Sequence, residues 1–596
     1  MLQPANARPN PFEEHGQGLT GTEDLVPDRR VKMIDRIITD ANIPQTVDGW
    51  RADACKSNAG RTAELSLKAV IVVFLILAVE GSPLLITTGA TLLHRRLSPE
   101  SRARLGIDDN YTWTQWYHML QKGLTRLIAL ADPKPAKYQR KMTRAQMLAN
   151  REARDPESSA AALVRLDWLC NQLLYATIAA CPGVLDGWEG NITIDGTAYP
   201  VFSKHGQTKN SLYASIESDA AFYMRDSRHK ETTDRSAARK VMFGYELHLV
   251  APAANISPDP GTSFAQPVMG ISQCQPSESP STFGLSAITS AMSRFGDRMR
   301  GGLVIADKGY FANAKAEDLA LPVRAMGMGI LTDYKKDQTG VVDGYAGAEL
   351  IEGTFYCPGM PEALKSATKD ERYDRIEPDV WLKRIDGRAP YVVRRKAKPD
   401  ADGYTPMMCP AAGPNATVIC PLKPKDASRN SGKSLLPIMP VNLPEHPDKI
   451  CTQTSVVFPP TAGAKFRQDL RYATAAWFRL YRSGRNFIES TNAYIKDEGK
   501  HALAVAGRRR ARGHSKQYFL ATTLVFAANL QRINSHLWNE ANPLAPDRTR
   551  RRDKLNNYRW DPTTRQGTAP NGLFDGYQPA EAFDDDLDNL ETCYQD

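Results

Sequence analysis

Between Asn191 and Leu331 the hydrophobic pattern switches between a period of two and a helical period in a set order, and that order restricts the fold more than any other feature. Asn191-Ile-Thr-Ile-Asp195 alternates and ends on a carboxylate, with Gly196-Thr197 reading as a turn. In Val241–Val250, Val241, Phe243, Tyr245, Leu247 and Leu249 alternate with less apolar residues, and a third strand is expected near Phe264–Cys274. A helix opens at Ser281, after Pro280, and runs to Met299. Leu303-Val-Ile-Ala306 reads as a buried strand ending at Asp307, and a helix near Ala312–Leu319 and a strand over Val323–Leu331 complete the set. Taken singly, Asp195 or Asp307 could be no more than a strand-exit residue.

The flanking sequence is different in kind. From Val31 to Cys181 apolar residues recur at three and four spacing, in Leu65–Glu80, Trp113–Ala131 and Ala160–Ala180, with breaks at Ser82-Pro83, Ser98-Pro99 and Asp132-Pro133. Ser98 is expected to cap a helix that has Pro99 at its first position. The run Ala69–Val79 is the most apolar, but a bilayer span needs about 20 such residues, so it reads as a buried helix. Between Thr332 and Ala464 the chain is rich in Pro and Gly, with β-prone pieces such as Tyr391–Arg394 and Ala416–Cys420, which suggests an inserted, mainly β subdomain. Helical texture returns at about Leu470, and a further helix is expected over Lys516–Ser535. The resulting division is a flexible leader (1–30), an N-terminal helical domain with a DNA-binding role in view (31–185), a core in two parts (186–332 and 465–540), the insertion (333–464), and a basic then acidic tail (541–596).

The segment Arg485–Lys496 carries the most chemical information. At 100° per residue, Arg485, Glu489, Asn492 and Lys496 share one narrow helical stripe, while Phe487, Ile488, Tyr494 and Ile495 lie to the other side. Alone, the stripe is also what a solvated face with an i,i+4 ion pair looks like.

A chain of 596 residues with 42% hydrophobic and 24% charged residues is neither disordered nor a membrane protein as a whole, and no secretory signal pattern opens it. The formal charge of +9 favours a polyanionic partner, and basic clusters at Lys134–Arg154, Arg508–Lys516 and Arg548–Lys554 raise the odds of phosphate contact. Nine scattered cysteines suit a reducing cytoplasm. Cys357, Cys409, Cys420 and Cys451 all fall in the insertion, where they could bind zinc or pack as buried thiols; no C-x2-C knuckle decides between these. His248 and His205 read as structural or exposed. The glycines of Gly340–Gly347 lack a following Lys-Ser/Thr, so no nucleotide cofactor is expected.

Three strands, a helix, a strand, a helix and a strand is the element order of the ribonuclease-H-like fold, an α/β core of a mixed sheet flanked by helices. In that fold the catalytic carboxylates lie on the first strand and at the end of the fourth. The whole constellation resembles the insertion-sequence DDE transposases whose second aspartate sits in an Asp-x-Gly-Tyr motif and whose glutamate helix carries Tyr-x2-Arg-x3-Glu-x6-Lys. This chain has Asp307-Lys308-Gly309-Tyr310 in full, and Arg485, Glu489 and Lys496 at the family spacing. Tyr481 departs from the pattern: it stands four residues before Arg485 rather than three. The resemblance covers roughly 190–532.

The resemblance implies a DNA transposase in which Asp195, Asp307 and Glu489 hold two Mg2+ or Mn2+ ions. Arg485 and Lys496 would then offset phosphate charge, with Tyr310, Lys308 and Asn492 near the DNA and Gly309 allowing a sharp turn. Arg508, Arg509, Arg510 and Arg512 are the candidates for transposon-end phosphates. The partners implied are double-stranded DNA at the transposon ends and target, with a dimer on DNA and a cytoplasmic, nucleoid-associated location. Two other readings remain: a nuclease or resolvase that cuts without joining, and a DNA-binding protein that has lost catalysis.

Overall fold

A computed structural model describes residues 25–55, 64–107, 111–135, 142–203, 212–225, 240–256, 264–276, 278–413, 415–423, 440–541, 559–561 and 566–568. Most of the leader, His205, most of the tail and the basic cluster Arg548–Lys554 lie outside them. The chain forms two compact units, one of residues 1–176, 202–218 and 505–527, the other of residues 177–201, 219–504 and 528–596.

The first unit is helical. Its central helix, Leu67–Val79, has every residue from Ala69 to Ala78 buried. A helix apolar all round has no solvent face to offer and becomes a core that others surround; Asp28–Asp40, Ile86–Thr91 and Trp113–Ala129 pack about it. Among the described residues no helix is long and apolar enough to cross a membrane. Ser98 caps Pro99–Leu105 by accepting from the Ser101 N–H, as its sequence suggests.

One acid in this unit is out of balance. Burial pushes Asp167 up to about 7, against a hydrogen bond with Tyr518 that lowers it. Below the unfolded value of 3.8 the carboxyl is neutral folded or unfolded and costs nothing; as pH rises towards 7 the folded chain resists losing the proton and loses stability, and above 7 the cost is constant. Asp167→Asn is therefore expected to raise Tm at pH 8, through a term on the order of a few kcal/mol, with the gain shrinking as pH falls towards 4. A gain that is the same at both pH values would assign it to packing instead.

The second unit is mixed α/β. Strand β1 (Ile192–Pro200) pairs antiparallel with β2 (Lys240–Pro252), and β2 carries β3 (Gly270–Cys274) and a short strand, Ala221–Arg225, along its other edge. On its other side β1 pairs in parallel with β4 (Leu303–Ala306), which pairs in parallel with β5 (Gly329–Thr332). Helix α1 (Pro280–Met299) connects β3 to β4. Several expectations need adjustment. Gly196-Thr197 is not a turn, because β1 runs on through it to Pro200. Val323 belongs to a helix, Ala320–Ala325, and only Gly329–Thr332 extends as a strand. The connection after Asp307 is a short helix, α2 (Lys308–Phe311), followed by a single 3-10 turn over Ala316–Asp318.

The insertion is mixed rather than mainly β. A meander of Val341–Tyr345, Ala348–Ile351 and Thr354–Tyr356 is followed by helices Ala367–Arg372 and Pro378–Gly387, then by a sheet of Arg394–Arg395, Thr405–Met408 and Ser455–Phe458. Ala416–Cys420 is not a strand; a single bridge at Val418 is all its β-branched residues achieve. The two ends of the insertion are held together. The Asp469 N–H donates to the Ile330 carbonyl at 3.0 Å while the Ile330 N–H donates to Asp469 Oδ2 at 2.9 Å. Gln468 Oε1 accepts from Trp477 Nε1 at 2.9 Å, and its Nε2 donates to the Tyr334 hydroxyl at 2.9 Å. From this clasp the chain enters helix α3 (Ala475–Lys496), capped by the Thr474 hydroxyl.

Candidate active site

The site begins with strand register. In the parallel pair Ile194 lies beside Ala306, so the next residue on each strand, Asp195 and Asp307, emerges side by side at the carboxyl end of β4. Open parallel sheets leave their ligand crevice at such ends. Asp195 is largely buried, with 18% of its side chain exposed, whereas Asp307 is 44% exposed.

Helix α3 delivers the third acid, and a glycine sets its distance. A Cβ on Gly484 would meet Ile305 Cδ1 at 3.0 Å, so the bare backbone lets the helix lie against β4. The Thr193 hydroxyl of β1 donates to the Gly484 carbonyl at 3.1 Å. The next residue, Arg485, reaches across all three acids: its guanidinium stands 3.1 Å from Asp195 Oδ1, 2.8 Å from Glu489 Oε1 and 3.9 Å from Asp307 Oδ2. Asn492 Nδ2 donates to the other Asp195 oxygen at 3.0 Å. The stripe predicted from spacing thus faces the strand ends: Arg485, Glu489, Asn492 and Lys496 all line one open cleft with Asp195 and Asp307, with a volume of about 840 Å³.

The electrostatics follow from crowding. Burial holds the Asp195 carboxyl above its usual range; Arg485 pulls it down, and Asp307 and Glu489 push it up again. Against burial, Asp195 and Asp307 hold the Arg485 guanidinium above its own usual value. A fourth carboxylate, Glu246 of β2, lines the same cleft. It uses space left by Gly196, where a Cβ would stand 2.7 Å from Glu246 Oε1. Burial, then Asp195, pushes it up to about 7, with Lys496 opposing. The only sequence sign of Glu246 is its place in the less apolar half of the β2 alternation, which gives no hint that its oxygen reaches the acids.

Behind the cleft runs a buried polar chain. The Tyr310 hydroxyl and His248 Nδ1 are 2.7 Å apart, and His248 Nε2 is 3.4 Å from Cys274 Sγ. Burial lowers His248 to about 4, so the imidazole is neutral. Glu246, His248 and Cys274 bring donor atoms within 4.8 Å of one another. His248 thus has a partner on each ring nitrogen and also lines the cleft.

Other predicted residues are placed as follows. Tyr310 is buried yet lines the same cleft; Gly284, whose Cβ would meet the Tyr310 ring at 2.7 Å, makes room for it. Lys308 is half-buried and does not line the cleft. Gly309 sits in α2 with open space where its Cβ would be, so no sharp turn requires it. Tyr481 stacks on Trp477 with centroids 4.6 Å apart, one helical turn before Arg485, and burial, then Asp333 and Asp307, raise its hydroxyl. In a helix i−3 and i−4 share a face, so the one-residue departure from the motif keeps the ring on the same side. Within the first unit, Arg509 is buried and unsuited to meeting a phosphate, and Arg508 donates to the Gly81 carbonyl. Arg510, over the Phe202 ring, and Arg512 are exposed.

No protein-family model matches the chain, and a search of curated proteins finds no match. What the site can do therefore rests on its geometry. Three hard oxygen donors gathered around one cation are a fitting set for a divalent ion, with the guanidinium standing where positive charge is needed. Arg485→Ala is expected to leave the acids in mutual repulsion, lowering Tm without metal. Titration calorimetry should then show Mg2+ or Mn2+ binding more tightly to the variant, since no guanidinium has to be displaced. Weaker binding in the variant would mean that Arg485 organises the acids rather than standing in for the ion.

Proposed function

We propose that the chain is a DNA transposase of the DDE type, cutting at transposon ends and joining them to target DNA. The observation that carries the reading is the convergence of Asp195, Asp307 and Glu489, from β1, the end of β4 and α3, on the single guanidinium of Arg485. A sheet in the order β3-β2-β1-β4-β5, antiparallel then parallel, with α1 between the third and fourth strands, supports a ribonuclease-H-like core. The Asp307-Lys-Gly-Tyr310 motif supports the transposase assignment within it.

Asp195, Asp307 and Glu489 would hold two Mg2+ or Mn2+ ions, which when bound activate the attacking oxygen and stabilise the leaving one. The protein's own residues do the rest. Asn492 fixes one Asp195 oxygen and Arg485 the other, which sets the plane of this carboxylate in the cleft. Arg485 and Lys496 offset the charge of the scissile phosphate. In the first cut water attacks phosphorus and the leaving strand departs with a 3′-hydroxyl. That hydroxyl then attacks a target phosphodiester, so one bond forms as another breaks.

The test uses the full chain, Mg2+ and the DNA that flanks its own gene. Joined end–target products are expected on a sequencing gel. Cut ends without joined products would leave a nuclease or resolvase, and binding without cutting would leave a DNA-binding protein.

A further inference from the structure

The four cysteines of the insertion have an arrangement that a set of core thiols does not require. Three of them open the same turn. In Cys357-Pro358-Gly-Met360 the Met360 N–H donates to the Cys357 carbonyl at 3.1 Å. In Cys409-Pro410-Ala-Ala412 the Ala412 N–H donates to the Cys409 carbonyl at 3.0 Å, and in Cys420-Pro421-Leu-Lys423 the Lys423 N–H donates to the Cys420 carbonyl at 3.1 Å. Proline at the second position presets the turn. In two of the turns the next backbone N–H, of Gly359 and of Ala411, favours the ionised sulfur and lowers the thiol against its burial. A neutral thiol is a weak acceptor, whereas a thiolate gains strongly from an N–H.

The turns and Cys451 come together from four separate segments. Cys409 and Cys451 belong to one buried cluster, with Cys420 packed against it, and Cys357 lies in the adjoining one. Burial, with Cys409, Cys451 and Cys420 adding to it, raises the Cys357 thiol to about 12. Burial likewise raises Cys409 and Cys451, and the remaining pairs among the four add to this. All four are free thiols. Buried cysteines commonly pack as small apolar groups. That role does not call for a repeated turn whose N–H favours the ionised sulfur, nor for four polarisable groups that disfavour one another's ionisation. A divalent cation among them reverses that penalty, because it takes thiolates and needs four.

From this convergence of turns and sulfurs we infer that Cys357, Cys409, Cys420 and Cys451 form a structural zinc site in the insertion. No three of the four sulfurs stand within 4.8 Å of one another, so a bound ion would have to draw them closer. The site does not depend on the proposed catalytic reading, and it uses none of the cleft residues.

The test is the metal content of untagged full-length protein purified under reducing conditions. About one zinc per chain is expected. It should fall at least roughly tenfold in Cys357→Ser and Cys409→Ser and persist in Cys55→Ser, which alters an exposed thiol, and in Asp195→Asn. A wild type without zinc, whose metal-free form also takes up no Co2+ with a thiolate charge-transfer band, overturns the inference. Should the serine variants not fold, mercurial titration of the wild type decides: zinc release in step with modification of four thiols upholds the site, and release unrelated to thiol modification removes it.

Discussion

Asp195→Asn, Asp307→Asn and Glu489→Gln are each expected to reduce Mg2+-dependent strand cleavage by about 10³-fold or more, while affinity for the same DNA changes little. The size follows from the role: losing one anionic ligand of a metal pair forfeits several kcal/mol of transition-state stabilisation, and each 1.4 kcal/mol is tenfold in rate. The amides keep shape and side-chain volume, so folding should survive. Asp195, nearly buried and bonded by both Arg485 and Asn492, should be the least forgiving of the three. Gel shift and cleavage measured on the same preparations separate binding from chemistry. If all three variants cut at the wild-type rate, the acids are a salt-bridged cluster around Arg485 and the proposed function falls with them. Glu246→Gln should have a smaller effect, because Glu246 stands beside the triad and the triad's guanidinium does not bridge to it.

Gly484→Leu is expected to cost about 1–3 kcal/mol of stability and on the order of 10²-fold in cleavage. The helix touches β4 at this point, and Ile305 Cγ2, 3.1 Å from where the first side-chain carbon would go, cannot retreat into a packed sheet. Helix α3 must therefore lift, taking Arg485 and Glu489 with it. Gly484→Ala is a more delicate case, since alanine favours the helix while crowding Ile305. Paired with Ile305→Val it should recover most of the lost activity. A Gly484→Leu protein with normal Tm and normal rate would show that the helix does not depend on this contact.

The core was legible where hydrophobic period and polar chemistry coincide. The strand before Asp307 is four apolar residues long and buried throughout, and the Arg485–Lys496 stripe needs only helical geometry to bring its polar residues together. Legibility failed where tertiary contact overrides local preference. Gly196-Thr197 has turn chemistry, yet pairing with His248 and Leu247 keeps it in β1. Arg509 sits in a basic run that reads as solvent-facing, and the fold buries it. Glu246 was invisible as a site residue because its significance comes from a missing side chain on a neighbouring strand. In the insertion, Pro and Gly signalled breaks without showing that helices stand between them.

The clasp between β5 and Gln468-Asp469 has a consequence for biosynthesis. Asp195 and Asp307 are translated well before Glu489, and the whole insertion lies between. Closing so long a loop is entropically slow to pay back, and until it closes α3 has no seat on β4. A nascent chain thus carries two of its three acids, without an assembled centre, for as long as the insertion and the start of α3 take to be made. The insertion in this sense acts as a timer, delaying assembly of the acid cluster until Glu489 has been made.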